Sequence, residues 1–409
     1  MCWGAYAVET RAAPRCDDCV RTFRRQSNEN HPIGGLNTLQ SALFDRVASA
    51  PCPWPSNLGC VTELLRLSVL DQSPVAEGSS GSQALRNTID LARLADRLGY
   101  HRYWVAEHHG GPSLAGPSPE VLIGPIASAT ERIRVGSGGV MLPHYSPLKV
   151  AQSFSVLAGL FPGRIDLGVG RAAGTDPMTT FALQRDRRQA APDDFPQQLA
   201  ELLAYFDDSF PDGHALARYV ATLPGRPERP VPWLLGSSAQ SAIWAGDIGL
   251  PYAFADFING EGAEIAALYR ERFTPSHRLD APETAVAVWA LCAETEDEAR
   301  RLAASSKMTF TLLRQGRLIP VPPPDKALRF LASQGQNAPG PRRRSIVGTP
   351  ETVRAGLVDV AAQYGAEEVI VVTITYDHDA RRRSYELIAE AFGLDGAAVD
   401  AAAGAAARA

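Results

Sequence analysis

No run of about 18 apolar residues occurs in the 409-residue chain, so no membrane-spanning helix is expected. An excess of positive charge is missing too. Forty Lys and Arg stand against 45 Asp and Glu, a formal net charge of −5, which argues against a nucleic-acid partner. The body of the chain is poor in cysteine. Of six cysteines, Cys2, Cys16, Cys19, Cys52 and Cys60 lie in the first 60 residues and only Cys292 lies beyond. The fold therefore needs no disulfide framework, and a reducing, cytoplasmic location is expected. Cys16 and Cys19 have the spacing of half a zinc site, but Cys52 and Cys60 are too far apart to complete it, so no metal is expected. No hydrophobic stretch follows Met1, so no secretory signal is expected.

Residues 1–64 carry scattered prolines and arginines and keep neither the helical nor the strand period. They read as a disordered N-terminal extension of a domain over 65–393, with an Ala-rich tail at 394–409. From Leu65 the pattern becomes regular. Short apolar runs at Leu67–Leu70, Tyr103–Ala106, Arg134–Ser137, Arg164–Val169, Trp233–Leu235, Tyr252–Ala255, Val286–Ala293 and Val369–Ile374 read as strands. Amphipathic stretches between them read as helices, at Ser82–Leu98, Pro119–Thr130, Pro147–Leu160, Phe195–Phe206, Ala239–Ile248, Ala263–Phe273, Asp297–Ser305 and Arg381–Phe392. Ser82 is suited to cap the first of these and Gly99 to end it. Strands apolar on both faces, alternating with helices, imply a parallel sheet covered by helices. Eight such units favour a closed (β/α)8 TIM barrel over an open sheet. The Pro- and Arg-rich stretch Lys307–Ile346 breaks the alternation and reads as an insertion after strand seven, at or beside the barrel mouth.

In such a barrel, chemistry sits at the C-terminal ends of the strands. There the sequence places Glu107-His108-His109, Gly138-Gly139, Gly170-Arg171, Gly236-Ser237-Ser238 and Thr375 to His378. Gly236, Ser237 and Ser238 open a helix, whose free amides and hydroxyls can cradle a phosphate, with Arg171 as a cationic partner from the adjacent strand. The plainer alternative is a serine cap and a surface arginine. His108 can contact a cofactor or reactant, rest in the core on a backbone carbonyl, or ligate a metal with Glu107. No H-E-x-x-H motif is present to favour the last. The glycines at 168, 170 and 174 miss the dinucleotide spacing and lack its open-sheet context.

Four segments, WVAEHH at 104–109, VGSGGVMLP at 135–143, PGRIDLGVGR at 162–171 and VGTPETV at 347–353, make the chain resemble the bacterial luciferase-like flavin-dependent monooxygenases over residues 65–393. The resemblance implies a TIM barrel that binds reduced FMN and reacts it with dioxygen to oxidise a small organic substrate. It also implies a separate NAD(P)H-dependent flavin reductase and a homodimer built on the early helices, here Ser82–Leu98 and Pro119–Thr130. By the same resemblance His108 matches the histidine beside the reactive part of the flavin. Arg171, Ser238 and Ser241 match positions around its phosphate, and Gly138-Gly139 matches a non-prolyl cis dipeptide under its ring. Leu70, Trp104, Val140 and Met141 are suited to line an apolar slot for that ring. The luciferases' reactive cysteine has no counterpart, since Cys292 stands elsewhere, so neither light emission nor a long-chain aldehyde substrate is implied. Two other functions stay open: a deazaflavin-dependent hydride-transfer oxidoreductase on the same barrel, and a flavin-binding protein without turnover. A phosphosugar hydrolase or aldolase would want a lysine or paired carboxylates at strand ends, and neither stands out.

Overall fold

The structure, a computed structural model, describes residues 65–171, 176–184, 187–188, 194–334 and 344–395. The expectations for the N-terminal extension, the zinc half-site and the tail beyond residue 395 lie outside these residues. The strands, in chain order, are β1 (Arg66–Asp71), β2 (Arg102–Val105), β3 (Arg134–Met141), β4 (Ile165–Gly170), β5 (Val231–Gly236), β6 (Tyr252–Ala255), β7 (Thr284–Cys292), β8 (Ser345–Gly348) and β9 (Glu368–Val372). Every pairing between them is parallel. β1 to β7 follow one another around a ring that closes through β9, between β7 and β1. The result is a closed eight-stranded barrel with β8 as an extra strand on the far end of β7.

Strand alternation divides the core in two. Leu67, Val69, Tyr103, Val105, Val369 and Val371 face outward under the helices. Leu70, Trp104, Trp233, Trp289, Ile370 and Val372 face the lumen. Val140 belongs to the outward set, which corrects its expected place in an apolar slot. It follows the irregularity in β3 between Gly138 and Val140, which changes the side to which the next residue points. The lower end of the lumen is closed by charge. Arg102 donates to Glu368 at 2.9 Å and to Asp166 at 3.0 Å, and its guanidinium lies 4.5 Å from the Trp233 ring centroid. Burial would raise the Asp166 carboxyl, but Arg102 and Arg134 hold it below the usual carboxylate range. This polar floor leaves the upper end as the open one.

The helices are α1 (Gly81–Leu98), α2 (Pro119–Ser128), α3 (Pro147–Leu160), α4 (Pro177–Leu183), α5 (Phe195–Asp207), α6 (Ala239–Asp247), α7 (Ala263–Arg272), α8 (Glu296–Arg314), α9 (Pro324–Ser333), α10 (Pro350–Tyr364) and α11 (His378–Phe392). α1 is capped by Ser80 rather than Ser82, its hydroxyl accepting the Gln83 N–H, and it ends on left-handed Gly99. Helix α8 runs nine residues beyond the expected Ser305, because Met308 and Leu312 continue its buried stripe against Ala304 and Ala327. The stretch expected to be an irregular insertion therefore holds the end of α8, all of α9 and the start of β8. Val321 bridges Ala76 in the segment after β1, which fastens the insertion at the barrel mouth.

Candidate functional site

Glu107 leaves the end of β2 fully buried, which for a carboxylate requires partners. It accepts from His109 Nε2 at 2.7 Å, from the Met141 backbone N–H at 2.9 Å and from the Tyr145 hydroxyl at 3.1 Å. One carboxylate thus ties the turn after β2 to the end of β3 and the short 3₁₀ turn beyond it. The His109 and His144 rings meet edge to face, 5.9 Å apart. His108 is held differently. Its backbone N–H donates to Gly116, while its Nδ1 is buried without a hydrogen-bond partner. Burial, with His109 adding to it, pushes the His108 imidazole down to about 4, so the ring is neutral at pH 7.

Gly138 and Gly139 lie in β3 and are joined by a cis peptide bond. A Cβ on Gly138 would sit 2.5 Å from Leu70 Cδ1 and 3.0 Å from Trp104 Cβ, and one on Gly139 would sit 2.8 Å from the Gly168 carbonyl oxygen. No side chain fits at either position, so bare backbone is set against the lumen residues. Leu70 and Trp104, expected around a flat ring, are lumen residues next to this dipeptide.

Arg171 follows β4 directly, and its guanidinium lies 5.7 Å from the ring centroid of Trp244 on α6. α6 begins immediately after β5, with Ser238 as its cap and Gly236 and Ser237 leading in. Gly236 is obligatory, because a Cβ there would overlap the Ser241 hydroxyl. Ser241 is turned inward. Its hydroxyl donates to the Ser238 carbonyl at 2.7 Å and pairs with the Tyr252 hydroxyl at 2.9 Å. A hydroxyl has one proton, so Ser241 shapes the helix start, while Ser237, Ser238 and the first amides present the donors. A cationic side chain packed on α6, whose start carries Ser237, Ser238 and helix-start amides, suits a phosphate.

The other half of the mouth is a cavity of about 470 Å³, with Trp289, Phe257, Phe310, Leu313 and Leu318 among its walls and Gln72, His108 and Ser113 as polar points. These residues come from the ends of β1, β2, β6 and β7 and from the insertion. Arg171 and α6 stand after β4 and β5, on the arc between, and Asp176 in the segment after β4 lines the cavity from that side. The sequence reading puts the insertion at or beside the mouth and names His108, but it names none of the aromatic and aliphatic residues of this wall and misses the role of Glu107. The end of a fully buried β7 pointed toward Trp289, but nothing local marked Phe310 or Leu318. Among the described residues no group of three or more His, Cys, Asp or Glu is placed to hold a metal, and no helix is long and apolar enough to cross a membrane.

Comparison with known proteins gives the same fold and a family. Residues 65–368 match the model of a family described as luciferase-like monooxygenase. The uncharacterized protein YwcH of Bacillus subtilis (strain 168) is 48% identical over 335 residues, 80% of this chain and 99% of its own. The N-acetyl-S-alkylcysteine monooxygenase of the same organism is 38% identical over 341 residues, 80% of this chain and 98% of its own. The crystal structure of apo-MsnO8 superposes with a TM-score of 0.72 at 42% identity, covering 81% of this chain and 98% of that one.

Proposed function

Because the chain belongs to the luciferase-like monooxygenase family, we propose that it is an FMN-dependent monooxygenase which uses reduced flavin and dioxygen to put one oxygen atom into a small organic substrate. The observation that carries this reading is the division of one barrel mouth. A phosphate-type cradle of Arg171 and the α6 start stands on one arc, and an apolar cavity holding a neutral, unpaired His108 on the other.

When bound, the flavin supplies the two-electron reduction of dioxygen. In this reading Arg171, Ser237, Ser238 and the first amides of α6 hold its phosphate. Gly138 and Gly139 give its ring a floor without side chains, and the lumen residues Leu70 and Trp104 keep water from below. His108, neutral at pH 7, holds or passes a proton at Nδ1. Glu107 fixes the turn that presents it, through His109, Met141 and Tyr145.

The same reading includes a separate NAD(P)H-dependent flavin reductase and a homodimer. In support of the dimer, α2 and α3 turn Val121 and Val156 to solvent in a shared groove of about 430 Å³, and Leu160 is exposed at the end of α3. α1 instead exposes Gln83, Arg86, Arg93 and Arg97, which favours α2 with α3 as the face for a second copy. The test is an anaerobic titration with reduced FMN and, in parallel, with reduced deazaflavin. Tighter binding of reduced FMN is expected. Preference for the deazaflavin would replace this reading with the hydride-transfer one.

A further inference from the structure

Asp71, the last residue of β1, is wholly buried on the outward side of the barrel wall, and no step of the proposed chemistry uses it. Its carboxylate accepts Arg381 Nη2 of α11 at 2.7 Å, the Tyr103 hydroxyl of β2 and the backbone N–H of Ser73 at 2.7 Å. Burial would raise the Asp71 carboxyl, but Arg381, Tyr103 and Ser73 hold it below the usual carboxylate range, so it stays an anion. The backbone on both sides of Gln72 is fastened. The Asp71 carbonyl accepts the Ala106 N–H at 2.9 Å, and the Ser73 carbonyl accepts the Ala115 N–H at 2.9 Å. Ser73 holds a left-handed conformation, φ 51°, that a residue with a side chain rarely adopts, and its hydroxyl pairs with that of Thr88 on α1 at 2.9 Å.

Gln72 points the other way. Strand alternation puts it on the side of Leu70, toward the lumen, and it lines the cavity of the mouth. The register runs Asp71, Val105, Ser137 across β1, β2 and β3, so Gln72 and Gly138 come next at one level. Gln72 is 6% exposed, and among the described residues its side-chain amide makes no hydrogen bond. A primary amide offers two N–H donors and a carbonyl acceptor, and burying them unpaired is costly unless a bound molecule takes them. We propose that Gln72 recognises the flavin ring by its imide edge, donating an N–H to a ring carbonyl and accepting the imide N–H. The inference rests on the flavin reading, in which Gly138 and Gly139 floor that ring. An amide suits an edge on which C=O and N–H alternate, because its donor and acceptor stand side by side in one plane. The turn fixed by Asp71 holds that amide in place before the ring arrives, which lowers the cost of ordering it on binding.

The test is anaerobic titration of the full chain with reduced FMN and with the reduced analogue methylated on the imide nitrogen, which cannot donate there. The parent chain should bind FMN more tightly than the analogue by about 5- to 150-fold, the worth of two neutral hydrogen bonds. Gln72→Met keeps the length of the side chain and loses the amide. It should weaken FMN by a similar factor and leave the analogue nearly unchanged. Without ligand it should melt no lower than the parent, because an apolar side chain has replaced an unpaired buried amide. Equal affinity of the parent for FMN and the analogue, equal loss of both in Gln72→Met, or a ligand-free Gln72→Met that melts well below the parent would each overturn the proposal. FMN binding that does not depend on Gln72 overturns this inference alone. No FMN binding by the parent chain removes the flavin reading, and this inference with it.

Discussion

The fully buried carboxylate of Glu107 accepts the backbone N–H of Met141 at 2.9 Å, so the second residue after β2 and the last residue of β3 are held together from within. The same group takes the Tyr145 hydroxyl and His109 Nε2. This makes the mouth between the second and third strands one hydrogen-bonded unit. Glu107→Ala strands three partners at once and should cost about 2–5 kcal/mol, read as a lower urea midpoint. An unchanged midpoint would mean that the turn is held by its packing alone.

Arg171 tests the cradle. Its guanidinium is exposed and lies against Trp244, so Arg171→Ala should leave the fold intact. Loss of one charge-assisted hydrogen bond to a phosphate costs about 1.5–3 kcal/mol, which is roughly 10- to 150-fold in reduced-FMN affinity. Equal affinity of parent and variant by titration would remove Arg171 from the site.

Val121 tests the face proposed for a second copy. It is 67% exposed on α2 and shares a groove with Val156 on α3. Val121→Lys puts a charge where the partner's apolar surface is expected and should turn a dimer into a monomer at micromolar concentration in sedimentation velocity, with the melting temperature nearly unchanged. A parent chain that sediments as a monomer would sink the dimer reading before any variant is made.

His108 gives a pH signature. Its folded-state value is pushed down to about 4, against about 6.5 for a free imidazole, so the unfolded chain binds the proton first. The folded state therefore loses stability through this residue as pH falls from about 6.5 toward 4, and the loss is complete below that range. His108→Asn lacks the titration. Its melting temperature, compared with that of the parent, should gain steadily across that window and run parallel to the parent above pH 7. A constant offset at all pH values would show that His108 is not buried neutral.

The barrel is legible in the sequence because each strand and each helix carries its own period. Tyr252–Ala255 and Pro147–Leu160 coincide with β6 and α3 to the residue. Sequence proximity does not show the partner set of a residue. Glu107 stands in view between Ala106 and His108, but Met141 and Tyr145 reach it only through the pairing of β2 with β3. Val140 has the character of a slot residue, yet the irregularity in β3 turns it outward. Read from the sequence, α8 ends at Ser305 because the Pro- and Arg-rich stretch Lys307–Ile346 breaks the alternation, and the packing of Met308 and Leu312 with Ala327 shows why the helix continues. Phe310 and Leu318 reach the site through that continuation.

The central claim is that one arc of the mouth holds a flavin while His108, on the other, governs how readily dioxygen is lost as hydrogen peroxide. It is tested most directly by binding reduced FMN anaerobically to the parent chain and to His108→Ala, then mixing each rapidly with air-saturated buffer. The account predicts FMN affinities within a few-fold of each other and a faster release of hydrogen peroxide from the variant. His109→Ala, the control, should lose thermal stability rather than change that rate. Identical peroxide release from the parent and His108→Ala, at full FMN occupancy, would make His108 a packing residue and contradict the account.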